Sequence, residues 1–250
     1  MQTTTTMASE ATGDTVFIQN RLEEVQALAG LFGFFSRCIE AEADAALLGL
    51  VRGELRSTLA EFGVKFDEEF YHAPTEKLVE LLAEEFTGLF VAPGCVSPYA
   101  SVAETGCLFK EPADKAMEAY RQAGWDYQNR LSGEFPDHIG TMLGFYANLA
   151  GAEAAALSTG DIPLADEHKQ RRETFFLDLL AEWAPGWCRR AADAALQPFY
   201  RQILTMVEQA LWLELEQLVD RRRLRELVEL NRREPKRLDY DADFRKASGL

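Results

Sequence analysis

Residues 134–146 read Glu134-Phe135-Pro136-Asp137-His138-Ile139-Gly140-Thr141-Met142-Leu143-Gly144-Phe145-Tyr146. Proline at the first position of a helix sacrifices nothing, because that N–H has no intrahelical acceptor. Asp137 in the first turn would meet the positive end of the helix dipole. The spacing therefore predicts a helix from Pro136 to about Ser158. His138 is the anomaly, since a cation at a helix N-terminus is disfavoured. Its ring is expected to stay neutral, able both to donate and to accept a hydrogen bond.

Outward from this block, apolar residues recur at helical spacing in both directions. Ile18, Leu22, Val25, Leu28, Ala29, Phe32 and Phe35 follow Phe17 at steps of three and four. A helix over 43–62 is expected to end at Gly63. Thr75 is expected to cap the next, with Leu78, Leu81, Leu82, Phe86, Leu89 and Phe90 on one side. Residues 91–110 hold Pro93, Gly94, Pro98 and Gly106 with no period, a long connection of the kind that carries function. Further helices are expected over 112–131, closed by the Ser132-Gly133-Glu134 turn, then over 163–182 and 198–230. Trp183-Ala184-Pro185-Gly186 interrupts between them, because the residue before a proline avoids α geometry. The last helix carries a stripe of Phe199, Ile203, Val207, Leu211, Leu215 and Leu218. No alternating run signals a sheet, and no fixed period signals a solenoid. The expected fold is all-α, a single-domain helical bundle over 15–230, with a flexible tail at 1–14 and a charged tail at 231–250.

Composition narrows function by exclusion. The 250 residues are 47% apolar, enough for a sizeable core and against disorder. Lys and Arg number 26 against 41 Asp and Glu, a net charge of −15. Nucleic-acid binding needs a basic stripe, and the one basic run, Arg221-Arg222-Arg223 with Arg225, is hemmed by Glu214, Glu216, Glu226 and Glu229. The acidic balance suits attraction of basic peptides instead. Cys38, Cys95, Cys107 and Cys188 form no CxxC pair, so neither a zinc knuckle nor a redox dithiol is expected. His72, His138 and His168 make no paired Glu-x-x-His for a bundle metal site, and there is no phosphate loop. No cofactor is expected. Ser101, His138 and Asp137 do not read as a triad, because adjacent residues on one helix do not face each other. The N-terminus lacks a signal-peptide pattern and the apolar runs are too short to span a membrane, so a cytoplasmic location without stable membrane insertion is expected. Arg171-Arg172-Glu173-Thr174-Phe175-Phe176 superficially matches a twin-arginine export motif but sits mid-helix with no adequate apolar run after it.

The blocks Glu85-Phe86-Thr87-Gly88-Leu89-Phe90, Ser97-Pro98-Tyr99-Ala100-Ser101-Val102, Phe135-Pro136-Asp137-His138, Trp183-Ala184-Pro185 and Pro198-Phe199-Tyr200-Arg201 follow one another in this order. Together they resemble the TorD/DmsD/NarJ family of molybdoenzyme-maturation chaperones, over roughly Phe86 to Arg201. The resemblance departs at Val91-Ala92-Pro93-Gly94, where the family often has a glycine-proline order, and at Leu179, where it commonly has a histidine. It implies a non-enzymatic chaperone that binds the twin-arginine leader and the apo catalytic subunit of a molybdopterin-dependent oxidoreductase, and a homodimer is compatible with it. It also implies a peptide-binding set: Phe86, Leu89, Phe90, Pro98, Tyr99 and Ser101 on one block, and Pro136, Asp137 and His138 on the other. For Phe86 to Val102 a second reading stands beside it, a helix end packing on the core. The rival function is an all-helical small-ligand binder or enzyme using Asp137-His138, which requires a concave pocket converging on His138. On the site reading, replacing both Asp137 and His138 by alanine is expected to weaken binding with little change in melting temperature.

Overall fold

The computed structural model describes residues 3–92, 95–128 and 135–235, with side chains from Val16 onward. Its helices are α1 (Thr3–Glu40), α2 (Ala45–Arg52), α3 (Arg56–Glu61), α4 (Glu68–His72) and α5 (Thr75–Phe86), the last running into a π-helical turn over Thr87–Val91. There follow α6 (Ala100–Thr105), α7 (Glu111–Gln122), α8 (Ile139–Ser158), α9 (Ile162–Leu179), α10 (Ala184–Ala194), α11 (Pro198–Leu218) and α12 (Arg221–Asn231). Among the described residues the one β feature is an isolated bridge between Tyr99 and His138. The all-α expectation holds.

Helix α8 is apolar nearly all round, and such a helix must be enclosed on all sides. It packs on α1 along one side and α9 along another. The α1 contact is close because Gly140 and Gly144 leave room for it. A Cβ on Gly140 would stand 2.7 Å from the Glu40 nitrogen, and one on Gly144 2.7 Å from Ser36 Oγ. Around this pair α10 and α11 pack on each other, and Phe32, Phe35, Tyr120, Tyr146, Phe176, Trp187, Phe199 and Tyr200 fill one continuous core.

Several boundaries differ from the sequence reading, each for a local reason. The 43–62 helix is two helices broken at Gly53, a residue costly in a helix interior, and Asp44 caps the first through the Leu47 N–H at 2.8 Å. Thr75 is not the cap of α5. It follows the Pro74 cap, and its hydroxyl accepts from Arg52 instead, at 3.2 Å. Helix α7 stops at Gln122, because Gly124 turns the chain at φ 70° and Trp125 folds back edge-on to Tyr120. The 198–230 helix is two, since Asp220 accepts from the N–H groups of Arg222 and Arg223 and starts α12. Asn231, expected to open a charged tail, is the buried last residue of α12. Helix α1 begins ahead of Phe17, where the apolar period starts. The Pro93-Gly94 and Ser132-Gly133-Glu134 turns, and most of the expected C-terminal tail, lie outside the described residues.

Candidate functional site

Helix α8 begins at Ile139, not Pro136, and His138 is its N-cap, with extended backbone at φ −66°, ψ 129°. The His138 ring does what a capping side chain does: Nδ1 accepts from the Gly140 N–H at 3.1 Å. Burial pushes the His138 pKa down to about 4, so the ring is neutral, as a group accepting from the positive end of a helix must be. Asp137 therefore lies outside the helix rather than in its first turn. Its Oδ2 accepts from the Ser101 N–H at 2.7 Å, so this carboxylate serves the start of α6 and not α8. Its other oxygen, Oδ1, is buried without a hydrogen-bond partner among the described residues.

Backbone bonds tie the two segments together. The Ala100 N–H donates to the Asp137 carbonyl at 3.1 Å, and the Ile139 N–H to the Pro98 carbonyl at 2.8 Å. Tyr120 donates its hydroxyl to the Pro136 carbonyl at 2.7 Å. From the other side, Trp187 Nε1 donates to the carbonyls of Ser97 at 2.8 Å and Val96 at 3.2 Å. Blocks far apart in sequence thus meet at one junction where polar backbone is satisfied inside the protein. Ser101 Oγ accepts from the Lys110 N–H at 3.2 Å while His138 Nδ1 is taken by Gly140, so the groups a triad would need are committed elsewhere.

Of the nine residues expected to bind peptide, the structure buries eight: Phe86, Leu89, Phe90, Pro98, Ser101, Pro136, Asp137 and His138. Tyr99 alone is half-exposed, its ring 5.3 Å from that of His138 and 5.4 Å from that of Phe135. Phe90 lies between Trp187 and Tyr200, with ring centroids 5.7 and 5.9 Å away, and Phe86 sits 5.2 Å from Phe90. These rings pack the core. A direct contact between Asp137 and a leader arginine is not available in this conformation, because the carboxylate is fully enclosed.

What the junction leaves open is a notch of about 380 Å³ beside it. Its walls are Leu81, Leu89, Val96 and Leu196, with Glu84 and Glu85 on one side and Cys95 on another. Its shape follows from the buried residues. Phe90 stacks on Trp187, Trp187 holds the Val96 carbonyl, and the Val96 N–H donates to the Leu89 carbonyl at 2.9 Å. Leu196 is 81% exposed at its mouth. Glu85 caps α11 from a different helix: Oε1 accepts from the N–H groups of Leu196 at 2.5 Å and Gln197 at 2.8 Å. Its Oε2 is buried without a partner among the described residues, and burial raises the carboxyl pKa against the pull of those two bonds.

Glu85 stands in the first family block, where the resemblance implies no role for it. The signal was its place on the apolar face of α5, in step with Leu78, Leu82 and Leu89. Sequence reasoning also misses Arg172, which reads only as half of an export-motif look-alike. Arg172 is buried, donating to Glu153 at 3.2 Å and to the Tyr146 hydroxyl at 2.7 Å. Tyr146 donates in turn to Glu214 at 2.5 Å. Glu153, in the middle of an apolar helix, was the available sign. Among the described residues no group of three or more His, Cys, Asp or Glu could hold a metal.

The family model for the nitrate reductase delta subunit matches residues 52–189, which contain all nine expected site residues. Chaperone protein TorD from Vibrio vulnificus, strains YJ016 and CMCP6, is 29% identical over 146 residues, covering 55% of this chain and 64% of the relative. The chain thus aligns with somewhat less than two thirds of the length of these relatives. A crystal structure of a candidate redox enzyme maturation protein from Archaeoglobus fulgidus matches 77% of this chain and 93% of its own, at 18% identity and a TM-score of 0.43. With its family blocks assembled at one junction and the family model spanning more than half its length, this chain belongs to the nitrate reductase delta subunit family, the TorD/DmsD/NarJ group that its Phe-Pro-Asp-His block resembles.

Proposed function

We propose that this protein is a maturation chaperone for the catalytic subunit of a molybdopterin-dependent oxidoreductase. It binds the subunit's twin-arginine leader, or a leader-like segment, while cofactor is inserted and before export, and it acts in the cytoplasm without catalysing a reaction. The observation that carries this reading is the notch: apolar walls with the exposed Glu84 carboxylate beside them. A leader offers the complement, arginines followed by an apolar segment. Apolar burial at ~25 cal/mol per Å² recognises hydrophobicity rather than sequence, and the Glu84 carboxylate favours the cationic end. Asp137 and His138 serve as positioning residues, holding the 97–101 segment whose neighbour Val96 forms a wall. Likeness to chaperone protein TorD supports the same class. The cavities on the notch, the α7–α9 face and the α1–α11 face are lined by neither Asp137 nor His138, so the small-ligand alternative has no pocket there to use.

The test is titration with a synthetic peptide of two arginines and a following apolar run, against a control with glutamines for arginines. Binding with Kd near a micromolar is expected, about −8 kcal/mol. Leu196→Asp, at an exposed site, should weaken it by about tenfold or more. No binding at roughly 100 μM, a hundredfold above the expected Kd, would refute the reading.

A further inference from the structure

A second open groove lies at the other end of α11 from the notch. It holds about 840 Å³ between α1, α3, α9 and α11. Its apolar surface comes from Leu28, Leu31 and Phe34 of α1, Leu55 and Phe62 flanking α3, and Leu218 ending α11. Phe62 is 55% exposed, and Leu28, Leu31, Phe34, Leu55 and Leu218 are half-buried. Nothing in the family blocks accounts for it.

The α1 wall has the pattern of a helix awaiting a partner. Arg21, Glu24, Leu28 and Leu31 follow steps of three and four. The same stripe continues one turn earlier to Phe17, 68% exposed. That is the alternation of a coiled-coil seam, which receives side chains at i, i+3 or i+4, and i+7. Gly30 also lines the groove, and a Cβ built there meets nothing within 4 Å, so a partner backbone can approach closely.

Charge selects the occupant. The lining cations are committed: Arg21 to Glu153 at 2.9 Å and Asp166 at 2.6 Å, Arg172 to Glu153 at 3.2 Å and Glu214 at 3.6 Å, Lys169 to Glu173 at 3.7 Å. Glu24 has no cationic partner among the described residues, so the charge left over in the groove is negative. A second copy of a chain carrying −15 would bring repulsion to this face. We propose that this groove docks a basic amphipathic helix of a partner protein, its apolar side on Leu28, Leu31, Phe34 and Phe62 and a lysine or arginine against Glu24. The ion-paired floor keeps the walls fixed before the helix arrives, which lowers the ordering cost of binding.

The probe is a fluorescein-labelled Leu/Lys amphipathic peptide of about five helical turns, with a Leu/Glu peptide of the same pattern as control. Anisotropy should show saturable binding of the Leu/Lys peptide to the full chain and none of the Leu/Glu peptide. Gly30→Leu removes a helix-interior glycine and so should not lower the melting temperature, yet it fills the groove and should weaken binding about tenfold or more. Phe62→Glu should do the same, and Leu196→Asp in the notch should leave this binding unchanged. Equal affinity in a folded Gly30→Leu, equal binding of the Leu/Glu peptide, or a self-association abolished by Gly30→Leu would each overturn the proposal.

Discussion

Asp137→Ala is expected to destabilise the protein, and the structure sets how much. The lost interaction is one charge-assisted hydrogen bond from the Ser101 N–H at 2.7 Å, at a carboxylate 0% exposed. Such a bond contributes about 1.5–3 kcal/mol, and its loss leaves the Ser101 N–H at a site 0% exposed without that acceptor. A chain of this size shifts by roughly 2–4 °C per kcal/mol, so a fall of about 3–12 °C follows. Asp137→Asn should behave differently. Its amide oxygen can take the same N–H, and it removes a buried charge whose second oxygen has no partner, so it should stay within about 1 kcal/mol of wild type. Adding His138→Ala to Asp137→Ala removes the α8 cap as well, worth about 0.5–2 kcal/mol, with some non-additivity between neighbours. This reverses the outcome expected if both side chains faced a peptide, where melting would barely move. The assay is calorimetry with urea unfolding at constant pH for the three variants. An Asp137→Ala protein that melts with wild type would refute the argument, and so would an Asn variant as weak as the Ala one.

Three other outcomes are expected. The folded pKa of His138 is about 4, below its ordinary value near 6.5, so the unfolded chain takes up a proton first as pH falls. Its contribution is therefore present above about pH 6.5 and is lost as pH falls toward 4, and melting curves of His138→Asn, which can still cap, should show a shallower loss over that window than wild type. Asn231→Ala removes three bonds at a site 2% exposed, from Gly186 at 2.8 Å and to Ala181 and Leu227 at 2.9 Å each. It should cost about 3 kcal/mol or more and expose the α12 amides to hydrogen exchange ahead of those of α8. Glu153→Leu leaves Arg172 buried beside Glu214 at 3.6 Å and Arg21 with Asp166 at 2.6 Å, and should cost about 3–5 kcal/mol by denaturant unfolding, whereas Glu153→Leu with Arg172→Met should recover the part of that loss due to Arg172.

The helices were legible where the period was long and uninterrupted, as in α1, α8 and α11. Their ends were misread where a single polar side chain decides the break. Asp220 and His138 are both N-caps, yet each also fits as an ordinary residue of a longer helix. The choice depends on whether an N–H two or three positions ahead finds a better acceptor, which no period records. The family blocks are legible as sequence, but where their side chains stand is not. Phe86, Phe90, Pro136 and Asp137 build the frame, and the surface they shape is made largely by residues outside the expected set, such as Leu196 and Glu84.

From sequence alone came the all-α class, the acidic character, the absence of a metal or phosphate-loop pattern, and the family resemblance. All of these are carried by residue type and spacing along the chain. The tertiary structure alone decided that Glu85 caps a helix more than a hundred residues away, that Arg172 and Glu153 share an enclosed ion pair, and that Asp137 serves Ser101 rather than its own helix. A periodicity reports which face of a helix turns inward. Which buried donor meets which buried acceptor depends on how those faces pack together, because a polar group taken from water must find its partner wherever the fold brings one within about 3 Å.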